Sequence, residues 1–172
     1  PDGGEFFQRD GLKIVGELPA KCRRAVRYWD TANSTDGDWT VGALLTELDG
    51  MVYVADVVRG RWTWGKRNEV MQQTAELDKL RWHDYQLWCE AQRGDSGGQV
   101  KDTMTREFAR FSLRMDSPNQ SKELRARPLQ ASIEAGNFRL LKGAWNSSYI
   151  DEMVSFPHGE HDDQVDATSG AF

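Results

Sequence analysis

Apolar and polar positions along this chain follow a short period first and a longer one afterwards. After a polar lead-in, Arg24-Ala25-Val26-Arg27-Tyr28-Trp29-Asp30 is rich in β-formers and closes on a carboxylate, which predicts a first strand. The stretch Asn33 to Asp38 is dense in turn residues. Trp39 to Leu48 and Met51 to Val58 read as two apolar strands joined by a hairpin at Asp49-Gly50. From Lys66 to about Leu80 the pattern becomes helical, with Val70, Thr74 and Leu77 predicted on the inward face. Tyr85 to Glu90 is a further strand, and it too ends on a carboxylate.

A glycine-rich loop, Gly94 to Gly98, leads into a predicted helix whose apolar stripe is Val100, Met104, Phe108 and Phe111. A short strand follows at Ser112 to Met115. Pro128 lacks the N–H that a helix interior requires, so the next helix is expected to start near Arg127 with Pro128 in its first turn. That helix carries Leu129 and Ile133 inward and stops at Gly136. Asn137 to Leu141 is a last strand, Tyr149 to Phe156 is helical up to Pro157, and a final helix begins near Asp162. Three strands in succession followed by alternating helices and strands predict an α/β domain built on a mixed sheet.

Composition narrows the class. The chain has 172 residues, 38% apolar and 28% charged, which fits one domain with its own core and excludes a disordered tail or a coiled coil. No apolar run is long enough to span a membrane, and the first residues lack the pattern of a signal peptide. With no initiator Met and an ending inside a helical pattern, the sequence is expected to be a domain cut from a longer protein. Cys22 and Cys89 cannot form a disulfide framework, and buried free thiols are the expectation.

The formal charge of −5 is unevenly placed. Residues 101–142 carry nine Lys/Arg against five Asp/Glu, whereas residues 143–172 carry six Asp/Glu and no Lys/Arg. An end so acidic calls for a cation. Asp30 and Glu90 each end a strand, and ligands of an α/β sheet gather beyond its carboxyl ends. Asp162, Asp163 and Asp166 open the last helix at spacings that put either Asp162 or Asp163 on one face with Asp166. Three or four converging carboxylates repel one another unless a cation sits among them. Hard oxygen donors in that number suit Mg2+ or Mn2+, and two such ions about 4 Å apart could clamp both ends of a phosphodiester displacement. The competing reading is that the aspartates cap the helix and the strand-end carboxylates are solvated.

In order and spacing, these residues resemble the nuclease domain of a phage terminase large subunit, the DNA-packaging motor protein of tailed viruses. The similarity runs from about Arg24 to Ala171. It rests on Arg27 to Ala32, Gly37 to Gly42, Tyr53 to Arg61, Glu90 before a glycine-rich turn, Lys122 to Ala126, Glu134 to Gly136, and Phe156-Pro157. The most specific piece is His161-Asp162-Asp163-Gln164-Val165-Asp166-Ala167. The resemblance implies a ribonuclease-H-like fold, related to Holliday-junction resolvases: a mixed central sheet with its first three strands antiparallel and helices on both faces. Residues 1–172 would be a single nuclease domain, without the N-terminal ATPase domain. It would cut concatemeric double-stranded viral DNA with two Mg2+ or Mn2+ ions, leaving 5′-phosphate and 3′-hydroxyl ends.

By position, Asp30 would bridge both ions, Glu90 would be the second strand ligand, and the Asp162/Asp163 pair would supply the helix ligand. Asp163 is favoured, with Asp166 as an additional ligand. Lys122, Arg125 and Arg127 would contact DNA phosphates. The implied partners are DNA, the ATPase domain, the terminase small subunit and the capsid portal, in the cytoplasm of a bacterial host and away from any membrane. One departure is the glycine turn, which often closes with a lysine in this family and here reads Gly97-Gly98-Gln99. A junction resolvase, a transposase core and a silent DNA- or portal-docking module are the competing functions.

Other features read as structural. Gly60-x-x-x-x-Gly65-Lys66 nearly fits a phosphate-binding loop, but Arg67 stands where Ser or Thr should hold Mg2+, and Arg61, Trp62 and Trp64 crowd it. Trp29 and Trp88 are expected to pack in the core, Trp62 and Trp64 are left open, and His158 and His161 lack a third soft ligand for zinc. Asp38 is expected to order its loop.

Overall fold

The strand-forming run at Arg24–Asp30 lies near the middle of a seven-stranded sheet, where it is buried on both sides of the sheet plane. The computed structural model describes residues 5–32, 39–91 and 98–172. In chain order the elements are β1 (Lys13–Val15), β2 (Arg24–Asp30), β3 (Thr40–Leu48), β4 (Met51–Gly60), α1 (Trp64–Arg81), β5 (Asp84–Glu90) and α2 (Gln99–Glu107). They continue with β6 (Arg114–Asp116), α3 (Lys122–Glu134), β7 (Phe138–Leu141), α4 (Asn146–Ser155) and α5 (Asp163–Ala171). The sheet order is β1-β7-β4-β3-β2-β5-β6.

β2, β3 and β4 form an antiparallel meander, whereas β5 and β6 join β2 in parallel on one side and β7 joins β4 in parallel on the other. The β3–β4 turn is at Asp49 (φ 51°) and Gly50 (φ 84°), the left-handed pair that a tight hairpin needs. The mixed sheet with an antiparallel start and helices on both faces matches the expected fold class.

Alternation along β2 divides its side chains between two cores. Trp29 faces α1 and α2, among Met71, Leu87, Cys89, Met104 and Phe108. Tyr28 and Asp30 face the other side, where α3, α4 and α5 cover Val41, Ala43, Val54 and Leu140. Two glycines permit close approaches. A Cβ at Gly42 on β3 would stand 2.6 Å from the Trp29 indole, and one at Gly170 on α5 would stand 2.4 Å from the Tyr28 ring. Cys22 and Cys89 are buried free thiols, as expected.

Several expectations need correction. β1 lies inside the stretch read as a polar lead-in. The buried face of α1 is Arg67, Asn68, Met71, Thr74, Ala75 and Asp78, and Leu77 is 67% exposed. The face is rotated because polar groups with partners are buried on it. Arg27 of β2 donates to Asp78 Oδ2 (2.9 Å) and Oδ1 (2.7 Å), to Asp56 Oδ2 (3.0 Å) and to the Gly42 carbonyl (3.0 Å). Tyr85 donates to Asp78 as well, at 2.7 Å. Apolar periodicity cannot find a face whose burial is satisfied by an ion pair.

α3 starts five residues before the expected Arg127, at Lys122, with Pro128 inside it. Ser121 caps it by accepting from the Leu124 N–H at 3.2 Å. Pro128 is tolerated because it and Leu124, whose carbonyl it cannot satisfy, both lie on the exposed face. α4 begins at Asn146 rather than Tyr149. Trp29 is fully buried as expected, but Trp88 is only half-buried, its Nε1 donating to Gln86 at 3.1 Å. Trp62 is half-buried against Gly60 and Trp64 is 50% exposed. The stretch Gly60 to Lys66 is a strand end and a helix start, with Lys66 paired to Glu69.

Candidate functional site

The register of β2 with β5 pairs Trp29 with Cys89, so the next residues along, Asp30 and Glu90, stand side by side at the carboxyl ends of two neighbouring parallel strands. α5 packs across β2 and β3, and its C-terminal half settles onto Tyr28 where Gly170 removes the side chain. This brings the first turn of α5 over the end of β2. Asp163 and Asp166, both buried, thereby join Asp30 and Glu90.

The electrostatics reflect this shared space. The Asp30 carboxyl has its pKa raised well above the usual range, first by burial, then by the charges of Glu90, Asp166 and Asp163, and by a hydrogen bond with Glu90. Asp166 is raised to about 6, again chiefly by burial, with Lys122 opposing the shift and Asp162 and Glu90 adding to it. Buried carboxylates crowded in this way are short of positive charge.

Two side chains of α3 supply part of it. Lys122 Nζ stands 2.8 Å from Asp162 Oδ1 and 3.0 Å from Asp166 Oδ2, and Arg125 Nη1 stands 2.7 Å from Glu90 Oε1. Burial lowers the pKa of each cation, yet its acidic neighbours outweigh that and leave it raised. Asp163 Oδ2 accepts from the Trp39 N–H at 3.1 Å. Glu90, Asp162, Asp163 and Asp166 are therefore each turned toward a donor of the protein itself. Among the described residues no group of three or more His, Cys, Asp and Glu side chains is set to hold an ion. The donor set itself (hard oxygens crowded together from two strand ends and one helix, most of them buried) is the chemistry that suits Mg2+ or Mn2+. Asp30, Glu90, Asp163 and Asp166 are the residues that would supply those oxygens, with Lys122 and Arg125 first releasing Asp166 and Glu90.

Of the residues expected at the site, Asp30, Glu90, Asp163 and Asp166 come together, and Asp162 lies at the rim. Asp162 is the residue before the first turn of α5, but its side chain makes no cap and goes to Lys122. The cap comes from α4: Glu152 Oε2 accepts from the Val165 N–H at 2.9 Å, and Oε1 accepts from Gln164 Nε2 at 3.0 Å. Lys122 and Arg125 point into the acidic cluster, and Arg127 is exposed on α3. Asp38, the Asn33 to Asp38 loop and most of the glycine-rich turn lie outside the described residues; Gly98, at φ 90°, precedes α2. His158 pairs with Glu5 rather than with any metal-like group.

One carboxylate escapes the sequence reading. Asp116 ends β6 in register with Glu90, accepts from the Tyr28 hydroxyl at 2.7 Å, and lies 3.9 Å from Arg125 Nη2. Its signal is the one used for Asp30 and Glu90, a strand closing on an acid, missed because the strand expected at Ser112 to Met115 runs instead from Arg114 to Asp116.

Known proteins share this architecture. A family model described as the terminase RNaseH-like domain matches residues 27–172. No curated protein sequence matches. Among solved structures, the large terminase nuclease from thermophilic phage G20c with bound magnesium aligns at TM-score 0.63 and 17% identity, over 99% of this chain and 97% of that one. The human cytomegalovirus terminase nuclease domain, manganese-soaked and inhibitor-bound, aligns at TM-score 0.71 and 9% identity, covering 95% and 90%. The large terminase of another thermophilic bacteriophage aligns at TM-score 0.69 and 11% identity over 98% of this chain, which spans 44% of that protein's length. No helix among the described residues is long and apolar enough to cross a membrane.

Proposed function

Because the chain belongs to the terminase RNaseH-like domain family, we propose that it is a divalent-metal-dependent endonuclease that cuts concatemeric double-stranded viral DNA during genome packaging. The observation that carries this reading is the convergence of Asp30, Glu90, Asp163 and Asp166 from two strand ends and one helix, with Asp30 buried among like charges. The similar nucleases with bound magnesium, and soaked with manganese, support a site for such ions here.

Asp30, Glu90 and Asp163 would hold the ions, and Asp162 and Asp166 would add donors from the edge of α5. When bound, the two ions would supply a water of lowered pKa and charge stabilisation for the departing 3′ oxygen. The protein's own part is to hold the carboxylates. The β2–β5 register sets Asp30 against Glu90. The Trp39 N–H fixes the rotamer of Asp163, and the Glu152 cap pins the start of α5. Lys122 and Arg125, neighbours of those carboxylates, are placed to meet a phosphate as it arrives. Arg127, farther out on the exposed face, would meet the backbone beyond the cut. No side-chain nucleophile is required, and the ends would be 5′-phosphate and 3′-hydroxyl.

In the whole protein this domain would work beside an ATPase domain, with the small subunit and the portal directing it, in the host cytoplasm. The test is nicking of supercoiled plasmid in Mg2+ or Mn2+, against EDTA and against Asp30→Asn. Metal-dependent nicking that the variant loses is the expected result. Binding without cleavage would favour a docking module, and a strong preference for branched DNA would favour a resolvase.

A further inference from the structure

We propose that Trp39, Arg59 and Arg61 form a second DNA-backbone contact, a guanidinium pair on an indole platform that grips a phosphate of the duplex beside the acidic centre. This rests on the nuclease reading above. β4 runs parallel to β2, so its end at Gly60 lies on the same rim of the sheet as Asp30 and Glu90. β3 begins on that rim opposite it, with Thr40 paired to Gly60. The Arg59 and Arg61 guanidinium carbons lie 4.2 and 4.4 Å from the centroid of the same Trp39 ring. The backbone N–H of Trp39 donates to Asp163, so the platform and the acidic centre are joined by one hydrogen bond.

Two cations over one ring repel each other, and neither forms an ion pair with a carboxylate among the described residues. The charge of Arg59 reaches the buried Glu152, whereas Arg61 is exposed. The indole offsets part of the repulsion by cation–π attraction. A backbone phosphate beside the ring, accepting from the outward N–H edges of these guanidinium groups, would offset the rest, since guanidinium donors match phosphate in geometry and charge. Local composition agrees. Residues 59–67 contain no acidic side chain, and of their four basic ones Lys66 pairs with Glu69 and Arg67 is buried, which leaves Arg59 and Arg61. This is the stretch whose spacing resembles a nucleotide loop without its Mg2+ residue. β4 and β2 are separated only by β3, about 10 Å apart, so a duplex with one phosphate over Asp30 passes another over this pair.

The experiment is fluorescence anisotropy of a labelled duplex in EDTA, where nothing is cut, over a range of salt concentrations. The protein variants are the parent, Arg59→Gln, Arg61→Gln, the double variant, and Arg24→Gln at the opposite end of β2 as a charge-matched control. The proposal expects the double variant to bind about tenfold or more weakly and to lose about 1 to 2 from the slope of log affinity against log salt, with the control unchanged. Arg61→Lys should retain the slope. Slopes and affinities equal to the parent's, a loss equal to that of Arg24→Gln, or a parent that fails to bind duplex at about 50 mM salt would each overturn it. Plasmid nicking by the same variants separates the two claims: metal-dependent cleavage that persists with unaltered binding would sink this contact and leave the nuclease reading standing.

Discussion

Lys122 Nζ stands 3.0 Å from Asp166 Oδ2 and 2.8 Å from Asp162 Oδ1, so a lysine of α3 occupies carboxylate oxygens assigned here to the metal ions. A divalent ion must displace it. Lys122→Met is expected to tighten apparent Mn2+ affinity severalfold in titration calorimetry. The same variant should lower metal-free stability by roughly 0.5–1 kcal/mol, since the lysine is half exposed. Weaker Mn2+ binding in the variant would mean that the lysine organises the site rather than competing for it.

Asp30→Asn should separate function from folding. The Asp30 carboxyl sits in surroundings that favour its neutral form, which an amide mimics in shape and charge. Plasmid nicking should fall on the order of 100-fold or more. The metal-free melting temperature should stay within about 3 °C of the parent's, or rise. A variant that melts much earlier would make Asp30 a structural residue.

The opposite result is expected at Arg27, 1% exposed and bonded to Asp78, Asp56 and the Gly42 carbonyl. Arg27→Met leaves two carboxylates without their cation and should cost about 3–5 kcal/mol in urea denaturation. Arg27→Lys should not restore it, because one ammonium cannot replace the fork that grips both oxygens of Asp78.

Gly42→Ala and Gly170→Ala probe the two close approaches. Each added methyl would meet a buried ring, at 2.6 Å from Trp29 and 2.4 Å from Tyr28, and should cost about 1–3 kcal/mol in stability. Only Gly170→Ala lifts α5 from the sheet, so only it should also weaken Mn2+ binding. An equal effect of both on Mn2+ binding would show that the seat of α5 does not control the site.

The parts of this molecule legible in the sequence are those carried by local chemistry. β2 closing on Asp30, β5 closing on Glu90, the Asp49-Gly50 hairpin and the acidic start of α5 each announce themselves within a few residues. That Asp30 and Glu90 are neighbours depends on β5 adding to β2 rather than to β4, which no local pattern encodes. The inward face of α1 is hidden from apolar periodicity because Arg27, far away in sequence, satisfies Asp78 and makes it a core residue. Pro128 points to a later start for α3 than the Ser121 cap does, and the cap prevails, the Leu124 carbonyl that Pro128 leaves free lying on the exposed face. Asp162 has the position of a cap without the role, since the real cap, Glu152, comes from another helix. Asp116 is missed because its strand ends one residue beyond the expected Met115.

The most direct measurement is anomalous scattering from crystals soaked in Mn2+. Two peaks are predicted among the carboxylates of Asp30, Glu90 and Asp163, with Asp30 touching both and Lys122 swung away from Asp166. Peaks confined to other sites, or none within coordination distance of Asp30, would contradict the account.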